Sequence, residues 1–168
     1  MQQRSRTIKQ LLYKVLKISL MLYAIYFLVG AVSAPLLAYN HHLEAADYFY
    51  SVLSAACQQQ PSRTFWIAGY PMAICSRCFG VYFGFVLMTF WWAKGNLKPN
   101  KSLFFCLLSF GIGEKFAEWF IWEANNGIRF ASGIFLGCSI LIGVVLIIQF
   151  IWRLLSKHDS QKIAVSDN

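Results

Sequence analysis

Charge is what this sequence has least of. Asp, Glu, Lys and Arg make up 13% of its 168 residues, and 58% are hydrophobic, with a mean hydropathy of +0.51. A typical soluble domain is about 25% charged. A soluble globule this small cannot hide so much apolar surface, so the shortage excludes one and makes lipid the solvent. Acid is scarcer still: seven acidic residues face fifteen Lys and Arg, a formal net charge of +8. That surplus does not make a nucleic-acid binder. No recognition motif or basic face is present, and the basic residues fall in short blocks between apolar runs. Internal repeats and a separate soluble domain are also lacking, so residues 1–168 read as a single membrane domain.

What is present is a set of four apolar runs. Ile18 to Tyr39 holds no charge over 22 residues, enough to cross a hydrocarbon core of about 30 Å. Ile74 to Ala93 is broken only by Arg77. Ser102 to Trp122 is apolar in its first half and carries Glu114, Lys115 and Glu118 in its second. Phe130 to Trp152 is uncharged. Trp91, Trp92, Trp119, Trp122 and Trp152 lie near the ends, where indoles favour the interface. "AVSA" at Ala31 to Ala34 resembles a signal-cleavage site, but the apolar stretch before it is long and Pro35 follows directly, so it reads as part of a span.

Orientation follows from the basic blocks. Arg4, Arg6, Lys9, Lys14 and Lys17 precede the first run, Lys94, Lys98 and Lys101 separate the second and third, and Arg153, Lys157 and Lys162 follow the fourth. The other connections carry only Arg63, Arg77 and Arg129, partly balanced by Glu44, Asp47 and Glu123. Both termini and "KGNLKPNK" are therefore expected in the cytoplasm. The loop 40–73 and the "EANNGIR" turn are expected outside. Within that loop "LEAADYFYSVLSAAC" has near-helical apolar spacing and predicts a short interfacial helix. "QQQPSR" breaks it, and "AGYP" signals a turn. The expected fold is all-α: an integral membrane four-helix bundle with a short helix in its first outward loop.

With this topology the reactive residues converge on the outer end. Cys57 lies in the outer loop, Cys75 and Cys78 open the second span, and Glu114, Lys115 and Glu118 occupy the outer half of the third. Arg129 leads into the fourth. Ionisable groups at membrane depth are costly unless paired. On a helical wheel Cys75, Cys78 and Tyr82 share one side; Arg77, Gly80 and Gly84 share roughly the other. Gly80/Gly84 and Gly133/Gly137 are G-x-x-x-G pairs that permit close helix approach. Arg77 on that seam is within reach of Glu114 or Glu118, which lie one turn apart. These charges either lock the helices in register or, with Arg63 and Arg129, bind a polar headgroup, an anion or a proton.

The cysteines admit three readings. C-x-x-C at a helix start beside a guanidinium stabilises a thiolate and suits thiol–disulfide exchange, with Cys57 as relay and Arg77 tuning the thiols. The layout is similar to that of membrane disulfide-generating quinone reductases, which would make a quinone the cofactor, although no second relay pair exists here. Cys57, Cys75 and Cys78, with His41 or His42 as a fourth ligand, instead form a set suited to zinc. The third reading is a structural disulfide or inert buried thiols. Cys106 and Cys138, inside spans, are expected to be small apolar fillers.

"CQQQPSRTF", "CSRCFGVYFGF" and "GEKFAEWFIWEANNGIRFASGIFLG" resemble a family of small prokaryotic multipass membrane proteins of unknown function. Its signature runs Cys-His-Gln, Pro, Arg, then Cys-x-Arg-Cys-x-Gly-x-Tyr-x-Gly and a later Asn-x-x-Arg-x-x-x-Gly. Cys57, Gln59, Pro61, Arg63, Cys75, Arg77, Cys78, Gly80, Tyr82, Gly84, Asn126, Arg129 and Gly133 match it. Gln58 stands where the family has His, and Glu114-Lys115 and Glu118 stand where it has Asp-Gly and Gln. The resemblance implies a prokaryotic plasma membrane, or a thylakoid-type one, and assigns no reaction. A rival to chemistry is a non-enzymatic subunit or assembly factor whose aromatic-rich spans bind other membrane-protein subunits.

Overall fold

The computed structural model describes the backbone of residues 2–94, 100–120 and 125–166, and the side chains of residues 11, 12, 14–94, 100–120 and 125–154. Trp122, Glu123 and Lys98, and the side chains of Arg4, Arg6, Lys9, Lys157 and Lys162, lie outside the described residues.

Helix α1 (Gln2–Tyr39) is longer than the apolar run that predicted it, because the basic segment before Ile18 continues the same helix. It ends in a Schellman motif. His41 takes φ 62°, the His42 N–H donates to the Leu37 carbonyl at 2.9 Å and the His41 N–H to that of Ala38 at 3.2 Å. Pro35 inside the helix has no N–H to give its i−4 carbonyl, that of Ala31. The Ala73 N–H takes it instead, at 3.3 Å. A proline vacancy in α1 thus anchors the chain just before the second apolar helix.

Helix α2 (Leu43–Ser54) is the short helix expected in the first loop. It packs on α1 with Leu53 fully buried, and Phe49 and Leu53 close against Gly30. After a 3₁₀ turn at Pro61–Arg63, strands β1 (Trp66–Ile67) and β2 (Tyr70–Pro71) form an antiparallel hairpin. An all-α fold was expected, so the hairpin is a correction. Ala68 and Gly69 both have positive φ, 51° and 84°, as a two-residue hairpin loop requires. The Tyr50 hydroxyl donates to the Pro71 carbonyl at 2.5 Å and ties the hairpin to α2.

Helices α3 (Ser76–Ala93), α4 (Lys101–Phe120) and α5 (Asn126–Ser166) complete the described elements. The fourth run was expected to stop at Trp152, yet the helix runs on to Ser166. The most intimate contact is α3 on α5. A Cβ added at Gly80 or Gly84 would fall on the carbonyl of Phe130 or Ile134, and one at Gly133 or Gly137 on that of Arg77 or Val81. α1 packs on α3 and α2, and α4 packs on α5. The strongest contacts follow one another in a row, α1–α3–α5–α4, with Arg77 of α3 also reaching Glu114 and Glu118 of α4; the described structure is mostly helical, and two of its helices are candidate spans. The glycine seam draws α3 and α5 together so closely that no central space is left between them.

Two helices, over Lys14–Tyr39 and Asn126–Leu154, are long and apolar enough to cross a membrane, and only 22% and 28% of their apolar windows are buried. A core helix of a soluble protein would be mostly covered. Here Leu22, Val29, Phe110, Phe116, Ile147 and Phe150 all stand exposed. α4 touches the rest mainly through α5, and Cys106, expected to be a small apolar filler, stands exposed on it. Cys138 is packed as expected, its thiol 3.5 Å from the Gly84 carbonyl.

Candidate functional site

One end of the helix row gathers the C-terminal end of α1, the hairpin, the start of α3, the second half of α4 and the start of α5. Cys57 follows α2, with its N–H on the Leu53 carbonyl at 3.1 Å. Cys75 is the N-cap residue of α3, and Cys78 sits in the first turn. The three Sγ atoms lie within 4.8 Å of one another. All five cysteines are free thiols. The Cys75 N–H donates to the Cys57 sulfur at 3.2 Å. The Cys57 thiol is held well below its ordinary pKa, first by the Cys75 thiol, then by the Cys78 thiol, against the opposing effect of burial. Beneath the cluster Phe27 stacks on Tyr82 with ring centroids 4.5 Å apart.

The charged half of the site is an ion network. Arg77 Nη2 lies 2.8 Å from Glu114 Oε2 and 2.5 Å from Glu118 Oε2. Arg129 meets Glu118 Oε1 through Nη2 at 2.7 Å and Nε at 3.0 Å. Glu118 therefore bridges two guanidinium groups, one oxygen to each, with its side chain only 6% exposed. Lys115 is half-exposed and stands 3.7 Å from Glu118. Glu114 Oε1 and Arg77 Nε are buried without a hydrogen-bond partner among the described residues.

Sequence reasoning assigned no role to four residues that hold these pieces together. Asn126 donates from Nδ2 to the Thr64 carbonyl at 3.0 Å, while its Oδ1 accepts from Arg129 Nη1 at 3.1 Å and lies 3.3 Å from the Ser76 hydroxyl. Ser76, fully buried, donates to the Arg63 carbonyl at 3.0 Å. The Ser132 hydroxyl donates to Glu114 Oε2 at 2.9 Å. The only prior signal was Asn126's place in the family signature; the other links appear only when loop and helices meet.

A cavity of about 270 Å³ opens over the cluster, lined by all three cysteines, the Gln58–Gln60 loop, Arg63, Arg77, Lys115 and Arg129. Glu114 and Glu118 are not on its wall. His41 and His42 are not brought to the sulfurs. They line a separate depression with Leu43, Glu44 and Ala45, because His41 is spent as the left-handed residue that stops α1. The fourth-ligand expectation for either histidine is therefore corrected. Among the described residues the metal-type ligands that cluster are the three cysteines alone.

Residues 57–143, just over half of the chain, match the family described as "Predicted membrane protein (DUF2085)". The chain belongs to this family. An uncharacterized protein of Methanocaldococcus jannaschii is 31% identical over 102 residues, covering 57% of this chain and 65% of the relative. The chain thus spans less than two thirds of that relative's length. No solved structure matches. The matched segment begins at Cys57 and takes in the whole ion network, so the region that defines the family is the region built around these sulfurs. As a membrane protein it has the lipid bilayer as its surroundings.

Proposed function

We propose that this chain is a four-span integral membrane protein, with both termini in the cytoplasm, that holds a soft divalent metal ion of the zinc class on Cys57, Cys75 and Cys78 at its extracytoplasmic rim. The observation that carries the metal reading is the sulfur triangle. Tetrahedral zinc with bonds of about 2.3 Å spaces its sulfurs about 3.8 Å apart, so three Sγ atoms within 4.8 Å close on an ion with small side-chain adjustments. The N–H that Cys75 gives to the Cys57 sulfur is the kind of neighbouring contact that orients a thiolate ligand. Such an ion supplies Lewis acidity to whatever binds beside it. The chain's own groups hold it, exclude water with Phe27 and Tyr82, and set the local charge.

Two facts support the span reading for the shorter helices. Arg77 and Arg129 neutralise Glu114 and Glu118 inside the helix row, which removes the main cost of placing α4 in lipid. At the other end Lys17 Nζ meets the Trp92 carbonyl at 3.4 Å and lies 4.6 Å from its ring, so Lys17 and Trp92 mark one membrane face.

Thiol–disulfide exchange is the second reading, favoured by Cys75 and Cys78 lying at the start of α3 beside the ionisable Cys57. In it the Cys57 thiolate attacks a Cys75–Cys78 bond, forms the mixed disulfide and displaces the other sulfur as thiolate, with a membrane quinone as two-electron oxidant for the dithiol. One experiment separates the two. The protein is purified without chelator, its zinc measured by elemental mass spectrometry, and its thiols alkylated before and after chelation. One zinc per chain, with three thiols that become reactive only after chelation, is the expected result. A metal-free protein with a Cys75–Cys78 disulfide that opens in mild reductant rejects the metal site in favour of exchange.

A further inference from the structure

We propose that the cavity over the three sulfurs is a binding site for a singly charged oxyanion, seated on Arg63 and presented to the open coordination position of the metal. The coordination argument and the single charge of the ligand rest on the metal reading above; the excess of positive charge on the wall does not. Four cations line the cavity: Arg63, Arg77, Lys115 and Arg129. Two carboxylates, Glu114 and Glu118, lie behind them and pair chiefly with Arg77 and Arg129. Arg63 has no hydrogen-bond or ion-pair partner for its guanidinium among the described residues, although it faces a cavity in a half-buried position. Lys115 is held only loosely at 3.7 Å. The wall therefore carries two unmatched positive charges. A divalent ion on three thiolates adds one negative charge, which leaves one positive charge for a ligand to cancel. A monoanion does so; a neutral or cationic ligand does not.

Geometry agrees with charge. Three protein ligands leave a zinc-class ion one position open, the arrangement of sites that take substrate and not of closed structural sites. Cys57, Cys75 and Cys78 all line the cavity, so a ligand held in it would reach an ion on these sulfurs. Gln58 and Gln60 also line it, while the Gln59 side-chain amide donates to the Tyr50 carbonyl at 2.7 Å. Guanidinium groups suit the two-oxygen edge of a carboxylate or a phosphodiester. At a membrane rim that chemistry has two sources, the phosphodiester of a lipid headgroup and a free phosphoester or carboxylate.

The test uses the full chain in a phosphate-free sugar detergent, loaded with Co(II), with dimethyl phosphate as the probe. The cobalt–thiolate charge-transfer band reports the metal, and broadening of the probe's ³¹P resonance reports an anion close to it; the Zn(II) form is the diamagnetic control. The expected result is broadening in the wild type that R63Q weakens about tenfold, the loss of a charge-assisted contact, with the cobalt band unchanged and R63K intermediate. A normal band with no broadening beyond the zinc control overturns the anion site and leaves the metal reading intact. A missing band defeats the metal reading; calorimetry of dimethyl phosphate then decides, and the anion site stands only if wild type still binds about tenfold more tightly than R63Q. Displacement of the probe by short-chain phosphatidylglycerol, a monoanionic lipid, identifies the headgroup as the source, and no displacement identifies a free anion.

Discussion

Glu118 is the residue on which the charged half of the site turns, because each of its oxygens serves a different arginine on a different helix. Arg77 in turn is the only cation within 4 Å of Glu114 among the described residues. Truncating Arg77 leaves Glu118 with Arg129 but strips Glu114 of its counter-charge, with only Ser132 still donating to it. Removing one partner of a buried ion pair costs about 3–5 kcal/mol. Arg77→Met is therefore expected to lower the unfolding midpoint sharply in detergent, and Arg77→Met/Glu114→Gln to recover a large part of the loss. If the double variant is as unstable as the single one, Glu114 is not the group left stranded. The pairing was legible in the sequence because Arg77 falls on the glycine side of α3 and the two acids lie one turn apart. The end of α1 was not. His41 looks like a ligand by residue type, and only its left-handed φ shows that it stops a helix.

At the level of elements, the seam between α3 and α5 positions everything above it. Its four glycines leave no room for a Cβ without striking the facing backbone, and membrane helices associate through such close packing because lipid gives them no hydrophobic drive. Gly84→Leu is expected to force the pair apart at a cost of about 1–3 kcal/mol or more. Separation should also pull Arg77 from Glu118, so if the sulfurs hold a metal as proposed, the variant is expected to lose it along with thermal stability. A destabilised variant that kept full metal occupancy would show that the sulfurs are held by the α1–α2 side alone. Both glycine pairs were readable from spacing. The hairpin was not, because two-residue strands carry no periodicity and Ala68 is an unusual residue at positive φ. Pro35 is another silent element. Its freed Ala31 carbonyl holds Ala73, so Pro35→Ala, by supplying an N–H to that carbonyl, is expected to speed hydrogen exchange at the Ala73 amide about tenfold while the rest of α1 keeps its protection.

Over the whole molecule, two arrangements of the helices in lipid compete. If only the two strongly apolar helices cross, α3 and α4 lie together outside. If all four cross, the connection between α3 and α4 is cytoplasmic. Spans one and four were legible from length and the absence of charge. α4 is ambiguous by hydropathy because Glu114, Lys115 and Glu118 count against it, and its burial of Glu114 and Glu118 depends on partners from α3 and α5 that no single-helix measure includes. The basic residues are the reason for proposing four spans: Lys94 and Lys101 flank the α3–α4 connection just as Lys14 and Lys17 flank the start of α1, and short basic loops tend to stay inside. Alkaline phosphatase, active only outside the cytoplasm, reads this directly when fused after successive residues. Fusions after Gln60 and Asn125 are expected to be active in either arrangement. The fusion after Lys101 decides, being inactive with four spans and active with two. A green fluorescent protein fused after Asn168 should fluoresce in both, which controls for insertion. An active Lys101 fusion would remove α3 and α4 from the bilayer and turn the sulfur cavity from a membrane-rim site into one on an external helical layer.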